Sequence, residues 1–297
     1  MCLCDLNLVN DRQKDAFEPM YCVIYGLASA LGWGASDFIG GLAARRSAAL
    51  LVTLLSNASG ALCLIPIALC FREPCMAPSA WFWCMAGGAA DAVALVILYA
   101  ALADGCLLAA PITALTAAAV PVAVGMLTEG LPKPTILLGL VLALPAVWFL
   151  SRGDGTKDGD RVCFAEVRLP LVAGFLIGLF LIMTHKGAPQ AVFWPMVAIR
   201  LGGAAILSPF WVRKRFSLSR AAFPWLLVTL VVVLDISGTA FYILAGQAGR
   251  MDVAAVLSSL YPGMTVFLSW LVLHEKLTRT HLVGVIAALG STMLMTV

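Results

Sequence analysis

Charged side chains are scarce in this chain, since Asp, Glu, Lys and Arg make up only 12% of its 297 residues. Soluble domains average about 25% charged residues and roughly 45–50% apolar ones, whereas 62% of the residues here are hydrophobic. So few charges cannot cover the surface of a water-soluble globule of this size. The composition excludes a soluble enzyme, a nucleic-acid-binding protein and a disordered scaffold, and it indicates a chain surrounded mainly by lipid.

Motifs of several other functional classes are also missing. There is no Gly-rich phosphate-binding loop ending in Lys-Ser or Lys-Thr, so ATP-driven transport by this chain is not expected. The three His residues lie at the edges of apolar runs and form no pair at the helical spacing of a metal site. Cys2 and Cys4 lack the second pair that a zinc site needs. We therefore expect no cofactor, no bound metal and no nucleic-acid partner.

Long apolar runs are abundant, and a helix needs about 20 apolar residues to cross a hydrocarbon core about 30 Å thick. The runs are interrupted by charged or Pro-rich segments, which mark the loops. The predicted helical spans are Tyr21–Ala44, Ala48–Cys70, Trp81–Ala103, Cys106–Leu127, Thr135–Leu150, Leu169–Thr184, Ala191–Trp211, Phe223–Gly246, Val253–Leu273 and Leu282–Val297.

A long linker rich in Gly and charge, residues 151–168, divides the chain close to its middle. Residues 1–20 form a polar N-terminal tail, either disordered or an extended start, and residues 21–150 and 169–297 each carry five spans. Because five is odd, the second unit would cross the membrane in the opposite sense, a recurrent plan of secondary transporters. We predict an all-α multi-pass membrane protein with ten transmembrane helices arranged as two inverted five-helix repeats.

The two predicted units share a weak internal similarity. An offset of 146 residues pairs Glu129 with Glu275 and places Asp91 opposite Ser237, two residues from Asp235. Lys and Arg number twelve in the odd-numbered loops and six in the N-terminal segment and the even-numbered loops. By the positive-inside rule, this count predicts cytoplasmic odd loops and two external termini.

Three segments carry a resemblance to a known family. Gly32–Arg46 (GWGASDFIGGLAARR), Pro111–Gly139 (PITALTAAAVPVAVGMLTEGLPKPTILLG) and Leu260–Gly284 (LYPGMTVFLSWLVLHEKLTRTHLVG) resemble the first helix and the two copies of the fourth helix and its turn in EamA-type members of the drug/metabolite transporter superfamily. The resemblance covers roughly residues 21–297. It implies ten helices, two inverted five-helix repeats and ATP-independent transport of small metabolites, without implying a substrate.

The two copies differ at one proline. The second copy has Pro262 thirteen residues before Glu275, whereas the first copy has Thr116 at the matching position before Glu129. We expect the ends of the two halves to gate unequally. Both Glu residues are expected to be turn anchors that accept hydrogen bonds from the next helix's N-terminal amides, with a gate contact as the alternative.

Ionisable residues in the middle of a span are costly and are functional candidates by default. Asp91 lies about 15 Å into the third span and Asp235 about 18 Å into the eighth, at 1.5 Å per residue. Arg200 lies midway along the seventh span, and an offset of 143 residues pairs it with Asn57. These positions predict a polar cavity near the membrane midplane.

Two interpretations of these charges stay open. In the functional one, a buried carboxyl group exchanges a proton for substrate, because burial disfavours its charged form, and Arg200 binds a substrate carboxylate through two parallel hydrogen bonds. An Asp together with an Arg would suit a zwitterion such as an amino acid. In the structural one, Arg200 pairs permanently with one of the Asp residues and holds helices together.

Further candidates for the substrate route come from aromatic and hydroxyl side chains. Asp37 lies four residues after Trp33, so that one helix face would present a carboxylate beside an aromatic wall. The remaining candidates, which packing alone would also explain, are Tyr99, Tyr242, Ser258 and Tyr261.

We predict a secondary transporter that moves a small polar or amphipathic metabolite, with an amino acid as one candidate, by alternating access. Protons are the candidate coupling ions. The expected partners are a small-molecule substrate and the lipid bilayer of the cell membrane, which is the inner membrane in a Gram-negative cell, and the expected state is a monomer. Two alternatives stay open: a membrane-embedded enzyme or lipid-modifying protein, and a packing subunit without transport of its own.

Deletion of residues 2–19 is expected to leave expression, folding and activity unchanged, because this polar segment precedes the first apolar run. The check is the elution profile and thermal unfolding midpoint of the purified deletion variant beside the full chain. A variant that fails to fold would contradict this interpretation of the segment.

Overall fold

The computed structural model describes residues 3–103, 109–128, 130–151, 164–214, 223–273 and 279–296. Within these ranges the chain is helical and contains no β-strand. The helices are α1 (Leu3–Ala44), α2 (Ala49–Cys70), α3 (Pro78–Ala103), α4 (Ala109–Thr128), α5 (Pro134–Ser151), α6 (Phe164–Gly187), α7 (Phe193–Lys214), α8 (Trp225–Ala248), α9 (Met251–Ser258), α10 (Tyr261–Leu273) and α11 (Arg279–Thr296).

Each predicted span overlaps a helix of the structure, with differences at three places. The ninth span is not one helix but two, α9 and α10. Helix α1 starts at Leu3, inside the polar N-terminal segment, and α6 starts at Phe164, so residues 164–168 of the predicted linker are helical. Among the described residues, seven helical stretches are long and apolar enough to cross a membrane, and Met251–Val272 counts as one of them. The count of ten spans stays a prediction.

The helices expose large apolar side chains and bury small ones. Leu62 and Leu226, for example, are 72% and 73% exposed, as expected of side chains that face lipid. The core is rich in alanines that are at most 5% exposed: Ala30, Ala92, Ala94, Ala114, Ala117, Ala118, Ala143, Ala173, Ala198, Ala254 and Ala255. Small residues let helix backbones approach closely, and close packing is the main attraction between helices in lipid.

The helix pairings relate the two halves of the chain. Helix α1 packs on α8, α3 on α6, α2 on α7 and α5 on α11, while α4 packs on α6 and α1 packs on α9 and α10. Let α1, α2, α3 and α5 correspond to α6, α7, α8 and α11, and let α4 correspond to α9 and α10 together. Exchanging each helix for its counterpart then gives the same set of pairings. Such reciprocity is what two repeats related by a two-fold axis produce, so it supports the predicted repeat.

Glycine contacts show the same reciprocity at residue level. The side chain of Arg200 lies over Gly60, and the side chain of Asn57 lies over Gly203. Each glycine is paired with the other by the offset of 143 residues, and so are the two side chains. The α2–α7 interface therefore repeats one contact on both sides of its centre.

A second pair of glycine contacts relates α1 and α10 to α6 and α4. Gly34 of α1 packs against Met264, and Gly178 of α6 packs against Val120. Gly178 lies 144 residues after Gly34, and Met264 lies 144 residues after Val120. An offset of 144 also separates Asp91 of α3 from Asp235 of α8. The offset of 146 was read from Glu129 and Glu275, which lie outside the described residues, and it stays a prediction.

Close backbone contact between α3 and α7 predicts one sensitive glycine. A Cβ atom on Gly88 would overlap with the carbonyl oxygen of Ile199, whereas a Cβ on Gly41 would have its nearest neighbour, Leu102, at 3.8 Å. Gly88→Ala should lower the thermal unfolding midpoint in detergent, since overpacking costs about 1–3 kcal/mol. Gly41→Ala, the control, should not, because Ala favours a helix. Equal midpoints for the two variants would contradict this packing.

Candidate functional site

A cavity lies between the two halves of the bundle and takes lining side chains from five helices. It has a volume of about 330 Å³ with its mouth included. The lining residues are Trp33, Asp37, Asp91, Leu95, Ile177, Phe180, Asp235 and Tyr261. Four belong to each half, and the offset of 144 pairs Trp33 with Ile177 as well as Asp91 with Asp235.

Arg200 and Asp235 form a buried ion pair between α7 and α8. The guanidinium Nη1 donates to Oδ2 of Asp235 at 2.5 Å, and the two side chains are 3% and 12% exposed. Because Gly60 has no side chain, there is room beside it for the aliphatic part of the Arg200 side chain. This arrangement is the structural alternative that the sequence left open, and Arg200 is not among the cavity-lining residues.

No described Lys or Arg forms an ion pair with the other two carboxyl groups of the cavity, although the charge of Arg200 also attracts Asp91. Asp91 is 9% exposed and accepts no hydrogen bond from the described part of the chain. Asp37 accepts a hydrogen bond from the hydroxyl of Tyr99 at 3.3 Å. Three carboxyl groups therefore face the cavity, and an Arg neutralises one of them.

Trp33 forms an aromatic wall of the cavity, and its ring is positioned by one hydrogen bond and two aromatic contacts. Its indole Nε1 donates to Thr239 Oγ1 at 3.4 Å, and its ring centroid lies 6.0 Å from Phe180 and 5.5 Å from Tyr242. The hydroxyl of Tyr242 donates to the carbonyl of Leu181 at 2.8 Å. Tyr242, a predicted lining residue, therefore supports the wall without lining the cavity.

Two buried hydroxyl groups flank the break between α9 and α10, and of their two residues only Tyr261 lines the cavity. Pro262 has no backbone N–H to continue a helix, and α9 ends at Ser258 before α10 starts at Tyr261. The hydroxyls of Ser258 and Tyr261 are buried and have no partner in the part of the chain that the structure describes. The carbonyl of Gly34 accepts a hydrogen bond from Thr265 Oγ1 at 3.0 Å, which fastens α1 to the broken helix.

The corresponding helix of the first half is continuous. Helix α4 runs from Ala109 to Thr128 although it contains Pro121. The two halves therefore differ in their backbone as expected: this helix is broken in the second half and continuous in the first. Unequal gating stays a prediction.

The remaining candidates are distributed as follows. Asn57 donates from Nδ2 to the carbonyl of Thr53 at 2.9 Å and does not line the cavity. Tyr99 reaches the cavity only through its hydrogen bond to Asp37. Glu129 and Glu275 lie outside the described residues.

Sequence reasoning missed Glu73, which joins the α2–α3 loop to α7. Its carboxylate accepts hydrogen bonds from the backbone N–H groups of Val192 at 2.6 Å and Trp194 at 2.8 Å. Its own carbonyl accepts from the indole Nε1 of Trp194 at 3.0 Å. A carboxylate at a helix N-terminus is favourable. The only signal in the sequence is a single Glu before Pro74, between two apolar runs.

Sequence reasoning also missed Arg250. It donates to both carboxylate oxygens of Asp252, from Nε at 3.1 Å and from Nη2 at 2.9 Å. Nη2 also donates to the carbonyl of Gly130 at 2.8 Å, so the start of α9 is linked to the segment after α4. Asp252 is fully buried. Apolar lining residues such as Leu95 and Phe180 gave no signal, since they resemble the rest of every span.

The chain resembles known proteins in sequence over part of its length and in fold over most of it. Residues 166–297 match the model of the EamA-like transporter family. No curated protein matches the chain. A crystal structure of a protein has a similar fold, with a TM-score of 0.68 and 15% sequence identity over 90% of this chain and 95% of that one.

The EamA-like match confirms the predicted resemblance over residues 166–297. It includes α7 and α8 with the Arg200–Asp235 pair, and also the broken helix that carries Tyr261. Asp37 and Asp91 lie outside the matched residues. The likeness to the crystal structure concerns the fold alone.

Asp235→Asn is expected to lower the thermal unfolding midpoint strongly. It leaves the buried guanidinium of Arg200 without an anion, and breaking a buried pair costs about 3–5 kcal/mol. The double variant Arg200→Met with Asp235→Leu should recover most of the loss. Asp91→Asn is the matched control, because Asp91 has no ion pair, and it should unfold like the wild type. A stable Asp235→Asn protein would show that the pair is not structural.

Proposed function

We propose that the protein is a secondary transporter that moves a small polar or amphipathic substrate across the cell membrane through the cavity between its halves. One observation carries the proposal: three carboxyl groups line a cavity to which each half contributes four residues, inside a bundle with an apolar exterior. Secondary transporters built from repeats bind their substrates in this position.

The cost of burying charge supports a transport role over simple packing. A carboxyl group inside a lipid-embedded bundle is expensive, and such groups persist mainly along substrate and ion pathways. The Arg200–Asp235 pair explains one carboxyl group structurally. Asp37 and Asp91 remain, and neither has a described partner that would make it a structural link between helices by charge.

Alternating access requires contacts that close the cavity on one side of the membrane in one state and break in the other state. In the ten-span topology, the Glu73–Trp194 and Arg250–Gly130 contacts fall on the same membrane side, where α2 ends and α9 begins. Both join a loop of the first half to the start of a helix in the second half. In our proposal these contacts keep that side closed in the present state and break in the other one.

Coupling to protons follows from the same two carboxyl groups. Burial disfavours the charged form of a carboxyl group, so a proton on Asp37 or Asp91 would leave when substrate or water enters. Substrate and proton would then alternate at the cavity as it changes sides. The proposed coupling predicts no requirement for ATP.

Filling the cavity tests the proposed route. Ile177→Phe adds bulk inside the cavity, whereas Leu62→Phe, the control, adds it on a surface that is 72% exposed. In liposomes containing only this protein, uptake of radiolabelled amino acids, nucleosides, sugars and amines is measured for each variant. We expect at least one compound to be taken up, Ile177→Phe to reduce its rate about tenfold by blocking the route, and the control to leave it unchanged.

Two results would contradict the proposal. Uptake no greater than in protein-free liposomes for every compound would favour a packing subunit. Uptake that survives Ile177→Phe would move the route away from this cavity. Ile177→Ala enlarges the cavity and should retain uptake, which separates blockage from damage to the fold.

A further inference from the structure

The charge balance of the cavity limits what it can bind. Asp37, Asp91 and Asp235 line it, and Arg200 is already bonded to Asp235. No described Lys or Arg forms an ion pair with Asp37 or Asp91. The cavity wall is therefore acidic overall.

A substrate carboxylate has no suitable partner here. The Arg200 side chain is 3% exposed, packs against Gly60, is bonded to Asp235 and does not line the cavity. Three carboxyl groups, on α1, α3 and α8, line it instead. The earlier hypothesis of a zwitterion held by Arg200 is replaced by one in which the substrate supplies the missing positive charge.

Two oxygen groups at the cavity wall have no hydrogen-bond partner among the described residues, and they indicate which kind of cationic group would bind there. The carboxyl group of Asp91 is 9% exposed and accepts no hydrogen bond from the described residues. The hydroxyl of Tyr261 is buried, lies on the same wall and also has no partner among them. An ammonium group offers three N–H donors and a positive charge, so one such group could satisfy both oxygens.

The rest of the wall suits an apolar body. The rings of Trp33 and Phe180 and the side chain of Ile177 also line the cavity. Aromatic faces attract cations as well as apolar groups. This aromatic and apolar lining suits a ring or short apolar chain that carries one amine.

We propose that the substrate is a small organic amine in its ammonium form, that Asp91 is its counter-ion, and that Tyr261 accepts one of its hydrogen bonds. The inference rests on the proposed function for the use of the cavity. It goes beyond that function by assigning the chemical class of the substrate and the residue that recognises it.

Four compounds with one phenyl ring separate charge from shape: 2-phenylethylamine, 2-phenylethanol, phenylalanine and 3-phenylpropionate. Binding of each to the purified full chain is measured by titration calorimetry at pH 7. The amine should bind at least about tenfold more tightly than the alcohol, because a charged hydrogen bond to a buried carboxylate is worth about 1.5–3 kcal/mol. The zwitterion and the anion should bind more weakly than the amine.

Variants then assign the site. Asp91→Asn should weaken amine binding about 30-fold or more, as expected when one member of a buried charge pair is removed, and should leave alcohol binding unchanged. Asp91→Glu keeps the charge and should restore part of the affinity. Tyr261→Phe should weaken amine binding about 3- to 10-fold. Lys133→Gln changes one charge at an exposed position and is the control, with wild-type affinity expected.

The outcomes separate this inference from the proposed function. Equal affinity for the four compounds, including no binding by any of them, overturns the inference. So does amine binding that Asp91→Asn leaves intact. Uptake of the alcohol, zwitterion or anion without amine binding would retain the transporter and reject the amine. Amine binding that depends on Asp91, without uptake into liposomes, would retain the recognition site and reject transport.

Discussion

A guanidinium group inside a lipid-embedded helix bundle must be neutralised, and the pairing of Arg200 with Asp235 meets that requirement. The pair fixes how α7 and α8 lie relative to each other. It also requires a neighbour without a side chain, which Gly60 of α2 provides. Three helices from both halves are thereby placed around one charge. The cavity lies on the other side of Asp235, so its shape depends on this neutralisation.

The helices could be predicted from the sequence because lipid imposes one simple condition on them. Every backbone polar group must be satisfied within the segment, so each long apolar run becomes a helix, and charged or Pro-rich segments become its ends. The same condition located Asp91, Asp235 and Arg200 deep in their spans. The break before Pro262 was only partly predicted: the proline was recognised, but its effect on the helix was not.

Three features of the site could not be read from the sequence, for physical reasons. Which Asp pairs with Arg200 depends on the packing of α7 against α8, and no local pattern encodes it. The offset of 144 that relates two glycine contacts depends on which helices pack together, and the sequence alone suggested 143 and 146. Apolar lining residues such as Phe180 are chosen by their place in the fold, since their chemistry is that of every other position in a span.

The reciprocal helix pairing also means that the halves of the sequence are not separate bodies. The main partner of α1 is α8, and that of α3 is α6, so a cut at the middle of the chain would divide almost every large interface. Residues 166–297 alone would leave faces of α6, α7 and α8 uncovered and the guanidinium beside a half-built cavity. A chain carrying only one of these halves would therefore need another body, such as a second copy of itself, to enclose the same space.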